Sequence, residues 1–203
     1  HLEELKVFSK ALREKVKQMG YRIIGATWVD HVKGDECRSR LVAQEFATSK
    51  KNDLFAATPS SQGMPVLLAI GSIEGDDAGS GDFVCAFMHA GAEDGYYVEP
   101  PYDSGEDPKV VWKCEKAFNG LRKAPAWFSD WIATVLANKM VFYRCKTDPQ
   151  VYINYVTRAK VNLHLDDPFA LGKEQLIKEF FEELNTQVKM KHYEILSEVP
   201  SVK

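Results

Sequence analysis

Apolar residues in this chain come in short runs with two different periodicities. The longest uninterrupted runs, residues 66–70 and 83–88, are five and six residues long, whereas a membrane-spanning helix needs roughly 18. Some segments repeat apolar residues every three or four positions, as amphipathic helices do, and others are β-branched and aromatic, as strands are. The two kinds follow one another without a regular βαβα order. The pattern predicts an α+β fold with no membrane span.

Composition places the chain among ordinary globular proteins. Of its 203 residues, 45% are hydrophobic and 27% are charged, which excludes a disordered or fibrous chain. The length suffices for one large domain or two small ones. The first 20 residues contain eight charged side chains and no apolar block, so no secretory signal is expected. We therefore expect an intracellular location, in the cytoplasm or the nucleus.

An amphipathic helix is predicted over residues 1–20, ahead of a domain spanning residues 21–203. Apolar residues recur at intervals of three and four from Leu5 to Met19, and Gly20 ends the helix. Residues 76–81 are rich in Asp, Gly and Ser, which predicts a turn. Further helices are predicted over residues 64–73, 126–138 and 176–184, and strands over residues 21–32, 37–46, 96–99, 110–113, 151–156 and 160–165. The first two of these strands would form a hairpin.

Charged residues are distributed unevenly along the chain. Between Lys51 and Lys109 there are eleven Asp and Glu but no Lys or Arg, whereas the remaining residues carry a balance of +8. One interpretation is a set of solvated acidic loops, since many of these acids lie among Gly, Pro and Ser. The other is a carboxylate site for cations, with basic flanks for a phosphate-bearing partner. The net charge of −3 does not by itself indicate a nucleic-acid-binding protein.

The chain contains four cysteines: Cys37, Cys85, Cys114 and Cys145. They lie too far apart in the sequence to resemble a zinc-binding motif. In a chain without an export signal we expect them to be reduced thiols. No Ser-His-Asp or Cys-His arrangement indicates nucleophilic catalysis.

Three aspartates stand at the ends of apolar segments. Asp82 begins the segment 82–88, and the pair Asp166-Asp167 follows the predicted strand 160–165. Carboxylates delivered by separate segments are typical of a Mg²⁺ site, because this ion prefers hard oxygen ligands. Two such ions can activate a 3′-hydroxyl group and stabilise the leaving oxygen in phosphoryl transfer. Adjacent aspartates are also common in ordinary turns, so the spacing alone leaves both interpretations open.

Other candidate residues lie on predicted strands or beside apolar segments. Arg38 and Arg40 alternate on the strand 37–46, so both side chains point to one face. They could hold a triphosphate, or they could be solvated residues of an exposed hairpin. The surroundings of Phe87 and His164 are those of ordinary core residues.

Seven short motifs occur in a fixed order between roughly residues 22 and 192, and such a set is far more specific than any single motif. They are residues 38–44 (RSRLVAQ), 82–89 (DFVCAFMH), 97–101 (YVEPP), 113–127 (KCEKAFNGLRKAPAW), 148–149 (DP), 163–167 (LHLDD) and 188–191 (VKMK). The ordered set resembles the reverse transcriptases of copia-type retrotransposons. This resemblance implies an RNA-directed DNA polymerase domain.

The resemblance also implies a fold and a set of site residues. The fold would be the fingers and palm of a right-hand polymerase, with an antiparallel palm sheet backed by helices and the hairpin 21–46 in the fingers. Asp82, Asp166 and Asp167 correspond to the catalytic triad, which holds two Mg²⁺ or Mn²⁺ ions. The implied partners are deoxynucleoside triphosphates and an RNA or DNA template-primer. No thumb or RNase H domain is expected within residues 21–203.

Four further positions are implied to bind the nucleotide: Arg38, Arg40, Phe87 and Lys123. The two arginines would contact the phosphates of the incoming nucleotide. Phe87 would pack under its sugar and exclude a 2′-hydroxyl group.

Several positions depart from the family pattern. His164-Leu165 stands where the family has Tyr-Val before its two aspartates, and Lys123 stands where it has Gln. Pro168 lacks the backbone N–H that the second strand of a hairpin donates, which predicts a truncated hairpin after Asp167. The turn predicted over residues 76–81 replaces a strand of the family.

Two functional hypotheses follow. The first is an active RNA-directed DNA polymerase domain. The second is a repurposed, non-catalytic copy of the same fold, which acts as a structural or binding subunit among protein partners in a larger assembly. The first requires the carboxylates of the three aspartates to meet in an open cleft, and the sequence leaves catalysis undecided.

Overall fold

A computed structural model describes residues 5–34, 36–46, 60 and 62–198. They form two compact units, one from the described residues within 1–55 and 87–128 and the other from the described residues within 56–86 and 129–203. Helices and largely antiparallel strands are mixed, which confirms the α+β class. Parts of three predictions lie outside the described residues: the start of the N-terminal helix, the hairpin-turn residue Asp35, and residues 47–59, 61 and 199–203 of the main domain.

The secondary-structure elements of the described residues are, in chain order, β1 (Phe8–Leu12), α1 (Arg13–Gln18), β2 (Ile23–Ile24), β3 (Ala26–Lys33), β4 (Glu36–Ala43), α2 (Gly63–Glu74), β5 (Asp77–Phe83), β6 (Tyr97–Val98), β7 (Val110–Cys114), α3 (Ala124–Met140), β8 (Tyr143–Arg144), β9 (Val151–Ile153), β10 (Lys160–His164), β11 (Asp167–Gly172), α4 (Glu174–Gln187) and β12 (Met190–Ile195). Short 3-10 turns occur at Ala86–His89, Tyr102–Ser104 and Leu196–Glu198. The helices predicted over residues 64–73, 126–138 and 176–184 are confirmed as α2, α3 and α4.

The first unit contains a four-stranded sheet with the order β1-β7-β6-β2. Strands β2 and β6 are parallel, and the other neighbours are antiparallel. Val16 of α1, Tyr97 of β6 and Val111 of β7 form a buried cluster in this unit. The buried apolar side chain of α1 therefore packs against this four-stranded sheet.

Strands β3 and β4 form a separate two-stranded sheet in the first unit, which confirms the predicted hairpin. The base of this hairpin is fixed by the loop that precedes α3. The Ala43 N–H donates to Asn119 O at 2.8 Å, and the next residue, Gly120, has a φ of +86°. A Cβ atom on Gly120 would lie 2.0 Å from Ala43 O, so this close approach requires glycine.

The second unit contains a six-stranded antiparallel sheet with the order β12-β5-β11-β10-β9-β8. Helix α4 packs on β5, β11 and β12, and α2 packs on β10 and β11. The buried residues of α4 follow the helical period and are Ile177, Phe180, Phe181 and Leu184. Gly75 ends α2 with a φ of +63°, a conformation that glycine adopts without strain.

The predicted N-terminal helix is wrong over its first part, because residues 8–12 form strand β1. This strand pairs with β7 from Phe8 opposite Cys114 to Leu12 opposite Val110. The Phe8 ring also stacks on Trp112, with 3.9 Å between ring centroids. Pairing with a distant strand thus outweighs the helical spacing of the apolar residues, and only α1 is helical.

The turn predicted over residues 76–81 is also wrong, because residues 77–83 form β5, an interior strand of the six-stranded sheet. Its glycines are required by close packing. A Cβ atom on Gly79 would lie 2.7 Å from Phe181 Cε2, and one on Gly81 would lie 2.2 Å from Met190 Cε. Glycine in a strand interior marks such an approach of neighbouring groups, although it is also common in turns.

The hairpin after Asp167 is complete, in contrast to the truncated hairpin predicted from Pro168. Strand β11 pairs with β10 along five residues, and Pro168 lies opposite Leu163. The Leu163 N–H donates to Gln150 O at 2.9 Å, on the side of β9. Opposed residues in antiparallel strands exchange either two hydrogen bonds or none, so Pro168 needs no N–H toward β10.

Candidate functional site

Strand pairing in the second unit brings Asp82 next to the hairpin that carries the aspartate pair. The register of β5 and β11 sets Ser80 opposite Phe169, and Asp82 and Asp167 each lie two residues further along. The Phe83 N–H donates to Asp166 O at 3.0 Å, which extends the contact to the end of the hairpin. The backbone positions of Asp82, Asp166 and Asp167 therefore lie at the same end of two neighbouring strands, β5 and β11, and of the turn before β11.

A tight turn presents the aspartate pair. Leu165 and Asp166 form the two-residue loop between β10 and β11, and Leu165 has a φ of +54°. Positive φ at the first loop residue is typical of hairpin turns that match the twist of the strands. It is an uncommon conformation for leucine, so the surrounding strands have to hold it in place.

Two histidines flank the aspartates across the sheet. His192 of β12 lies opposite Asp82, and His164 of β10 lies opposite Asp167. Directly opposed residues of antiparallel strands extend from the same face. The four successive strands β12, β5, β11 and β10 thus present two aspartates between two histidines. His164 is exposed, so its interpretation as a core residue is wrong.

The Asp167 carboxyl is affected by the charges of its neighbours. The pKa of the Asp167 carboxyl is raised, first because the group is partly withdrawn from water and then because the charges of Asp166 and Asp82 lie nearby. His164 and His192 act on this pKa in the opposite direction. Mutual repulsion of this kind is expected where carboxylates are gathered to share a cation.

Asp82 is already paired with a cation from its own chain. Lys191 Nζ lies 3.0 Å from Asp82 Oδ2. Throughout the described residues, no three His, Cys, Asp or Glu side chains are arranged so as to hold a metal ion between them. The donor set nevertheless fits Mg²⁺ or Mn²⁺ chemically, because carboxylate oxygens are the ligands that these ions prefer. The ammonium group of Lys191 already binds one of these carboxylates as a cation would.

The predicted phosphate-binding arginines lie in the first unit, on β4. Arg38 is paired with His31 and Arg40 with Val29, so the two arginines share one face of the hairpin with a histidine. Both arginine side chains are exposed. The geometry is compatible with either a phosphate-binding surface or a solvated hairpin face.

Lys123 and Phe87 also lie in the first unit. Lys123 Nζ is 2.8 Å from Glu93 Oε2, and Trp127 Nε1 donates to the other oxygen of Glu93 at 3.0 Å. The half-buried Phe87 ring packs edge-on against Phe128, with 6.1 Å between centroids. Lys123 is thus held at the start of α3, and Phe87 makes the aromatic contact expected of a core residue.

Comparison with known proteins decides the family. Residues 13–202 match a family model described as reverse transcriptase (RNA-dependent DNA polymerase). The chain belongs to this family. The match confirms the resemblance to copia-type reverse transcriptases that the motif order indicates. No curated protein sequence matches the chain.

Membership implies the general properties of a reverse transcriptase. Such domains bind nucleotides and a template-primer and use divalent metal ions. In the described part of this reverse transcriptase domain, no helix combines the length and hydropathy needed to cross a membrane. The predicted domain boundary at residue 20 stays a prediction.

Sequence reasoning missed two residues of the site in this reverse transcriptase domain. Lys191 and His192 reach Asp82 only because β12 pairs with β5. The motif 188–191, which ends in Lys191, was the available signal, but a basic residue after a helix is ordinarily a surface residue. The partner of Lys123, Glu93, was likewise invisible in the sequence.

Proposed function

We propose that the chain is the RNA-directed DNA polymerase domain of a copia-type retroelement. It extends the 3′ end of a primer with deoxynucleotides, on an RNA template and inside the cell. The observation that supports this proposal is that Asp82 of β5 lies beside the hairpin that carries Asp166 and Asp167, in a chain that belongs to the reverse transcriptase family.

The aspartates supply the ligands for the divalent cations that the reaction needs. Asp82 and Asp166 would hold both ions, and Asp167 would assist them. When bound, two ions activate the primer 3′-hydroxyl group and stabilise the leaving oxygen of the α-phosphate. The hairpin turn and the pairing of β5 with β11 keep the three aspartates at neighbouring backbone positions before any ion arrives, which lowers the cost of organising the site.

Four residues of the first unit would bind the nucleotide. Arg38 and Arg40 would contact its phosphates, since guanidinium groups pair with phosphate oxygens in bidentate fashion. Lys123 would exchange its contact with Glu93 for a phosphate oxygen. Phe87 would pack under the sugar and exclude a 2′-hydroxyl group.

The two units correspond to parts of a right-hand polymerase in this proposal. The second unit would be the palm, because its antiparallel sheet carries the aspartates and is packed against helices α2 and α4. The first unit would provide the fingers, because it contains the β3-β4 hairpin with the two arginines. The template-primer and deoxynucleoside triphosphates are the proposed partners.

The ion pair of Lys191 with Asp82 favours a second candidate function. An ammonium group on a metal-binding carboxylate is compatible with a repurposed, non-catalytic fold that serves as a structural or binding subunit with protein partners. Lys191 is half exposed, however, and exposed ion pairs contribute little free energy, so a divalent ion can displace it. We therefore favour the polymerase.

Primer extension on an RNA template distinguishes the two candidates. The chain is incubated with poly(rA), an oligo(dT) primer, dTTP and either Mg²⁺ or Mn²⁺, and incorporation is compared with that of Asp166→Ala. A polymerase loses on the order of a hundredfold or more of its rate when a metal ligand is removed. Asp130→Ala is the matched control, because Asp130 is an exposed aspartate on α3 in the same unit.

The outcomes separate clearly. Incorporation by the original chain and Asp130→Ala but not by Asp166→Ala supports the polymerase. Equal background incorporation by all three chains, with each shown to be folded by circular dichroism, rejects the polymerase and leaves the non-catalytic subunit.

A further inference from the structure

An ion pair joins β12 to the first aspartate of the proposed active site. Lys191 Nζ lies 3.0 Å from Asp82 Oδ2, and the two side chains are 51% and 28% exposed. The pair is thus partly open to solvent. Any divalent cation that binds Asp82 has to displace this ammonium group or share the carboxylate with it.

A β-bulge directs Lys191 toward Asp82. The register of β12 against β5 shifts between Met190, which pairs with Phe83, and His192, which pairs with Asp82. Lys191 is the additional residue of this bulge. Bulges disturb the strict alternation of side chains and re-aim single residues, frequently next to active sites.

Hydrogen bonds hold the chain just before the bulge. The Val84 N–H donates to Lys189 O at 2.8 Å, and the Met190 N–H donates to Asn185 Oδ1 at 2.9 Å. These contacts fix the backbone on which Lys191 stands. The backbone position of Lys191 is therefore fixed by the fold, and only the side chain itself is free to move toward or away from Asp82.

We propose that Lys191 is a built-in counter-cation, which occupies Asp82 before metal binding and competes with the divalent ion for this carboxylate. The inference rests on the proposed function, because it takes Asp82 as a metal ligand. Neighbouring carboxylates repel one another, and an ammonium group reduces this repulsion until a divalent ion arrives. Because the divalent ion has to displace the ammonium group, the affinity of the site for the ion is lower than it would be without Lys191.

Binding of Mn²⁺ to the 203-residue chain tests the competition without requiring activity. The EPR signal of free Mn²⁺ gives the Kd. Lys191→Met is expected to lower this Kd about two- to fivefold, the value of one exposed ion pair. Lys191→Arg keeps the charge and should bind Mn²⁺ like the original chain. Lys189→Met removes an exposed lysine two residues away and measures the effect of overall charge alone.

Each result bears on the proposal, once thermal unfolding shows that the variants are folded. A lower Kd in Lys191→Met but not in Lys189→Met or Lys191→Arg supports it. An unchanged or higher Kd in Lys191→Met, or an equal decrease in Lys189→Met, contradicts it. If Asp166→Ala abolishes Mn²⁺ binding while Lys191→Met has no effect, only the role of Lys191 is lost. If no chain binds Mn²⁺, the metal site of the proposed function fails as well.

Discussion

Gly79 of β5 lies directly against Phe181 of α4. A Cβ atom at Gly79 would be 2.7 Å from Phe181 Cε2 and 2.8 Å from Ile177 Cγ2. Helix α4 therefore packs on the backbone of β5 itself, and the same strand carries Asp82. The glycine-rich segment is thus a structural requirement for placing the aspartate.

Replacement of Gly79 by alanine is expected to destabilise the chain by about 1–3 kcal/mol, because the added methyl group overfills a closely packed contact. Urea unfolding measures this loss. Gly172→Ala is the control on neighbouring β11, since its Cβ atom would meet Ala159 at an ordinary 3.5 Å. A similar loss in both variants would show that strand glycines matter for another reason.

Lys160 forms a largely buried ion pair. Its Nζ lies 2.7 Å from Asp76 Oδ2, and the two side chains are 6% and 5% exposed. Lys160→Met is expected to lower the free energy of unfolding by about 3 kcal/mol, because it removes the nearer and buried ammonium group from a buried carboxylate. Lys173→Met serves as the control, since Lys173 is 62% exposed and reaches Asp76 only at 3.4 Å; its loss should stay below about 1 kcal/mol.

Val141 ends α3 in a conformation that suits glycine. Its φ is +58°, and its side chain is exposed. Val141→Gly is expected to raise the free energy of unfolding by about 0.5–1 kcal/mol, because relief of backbone strain exceeds the added flexibility of the unfolded chain. Thermal unfolding measures the gain. Val156→Gly, at an exposed valine without positive φ, should give no gain, and a gain there would contradict the strain argument.

Ionisation of Cys114 is expected to lower the stability of the folded chain at alkaline pH. Burial raises the pKa of its thiol from 9.0 to about 12. Above pH 9 the unfolded chain loses a proton that the folded chain keeps, so stability falls as the pH rises toward 12. At pH 10 the loss from this group is about 1 kcal/mol. Urea unfolding between pH 8 and pH 10 should show it, and Cys114→Ala should reduce it.

A thiol titration provides an independent check on Cys114. Cys37 and Cys85 are exposed, whereas Cys114 is buried. The folded chain should therefore react with a thiol reagent at Cys37 and Cys85 and protect Cys114 until urea is added. Rapid reaction of Cys114 in the folded chain would contradict its burial.

Replacement of Arg40 tests whether the face of the β3-β4 hairpin binds the nucleotide. Its exposed guanidinium lies on the hairpin face that it shares with Arg38. If this face binds the triphosphate, Arg40→Ala should raise the KM for dTTP about tenfold in primer extension, because a charge-assisted contact is lost. Arg22→Ala, another exposed arginine of the first unit, should leave KM unchanged. Equal KM values in all three chains would place the triphosphate elsewhere.

Local periodicity predicted most of the helices and the β3-β4 hairpin. Helix α4 is the clearest case, because its buried residues from Ile177 to Leu184 keep the helical spacing. Local patterns gave the wrong structure at β1, where the spacing of apolar residues predicted a helix, and at β5, where the Asp, Gly and Ser content predicted a turn. In both segments the decisive contacts come from residues distant in sequence, namely β7 for the first and α4 for the second.

The amino-acid sequence by itself determined the family, the mixture of helices and strands, and the identity of the three aspartates, because each depends on residue types and their order. Tertiary structure alone decided which groups surround those aspartates. Strand register places His192 opposite Asp82, and a bulge adds Lys191. Register and bulges arise from hydrogen bonds and packing between distant segments, so no local pattern in the chain encodes them.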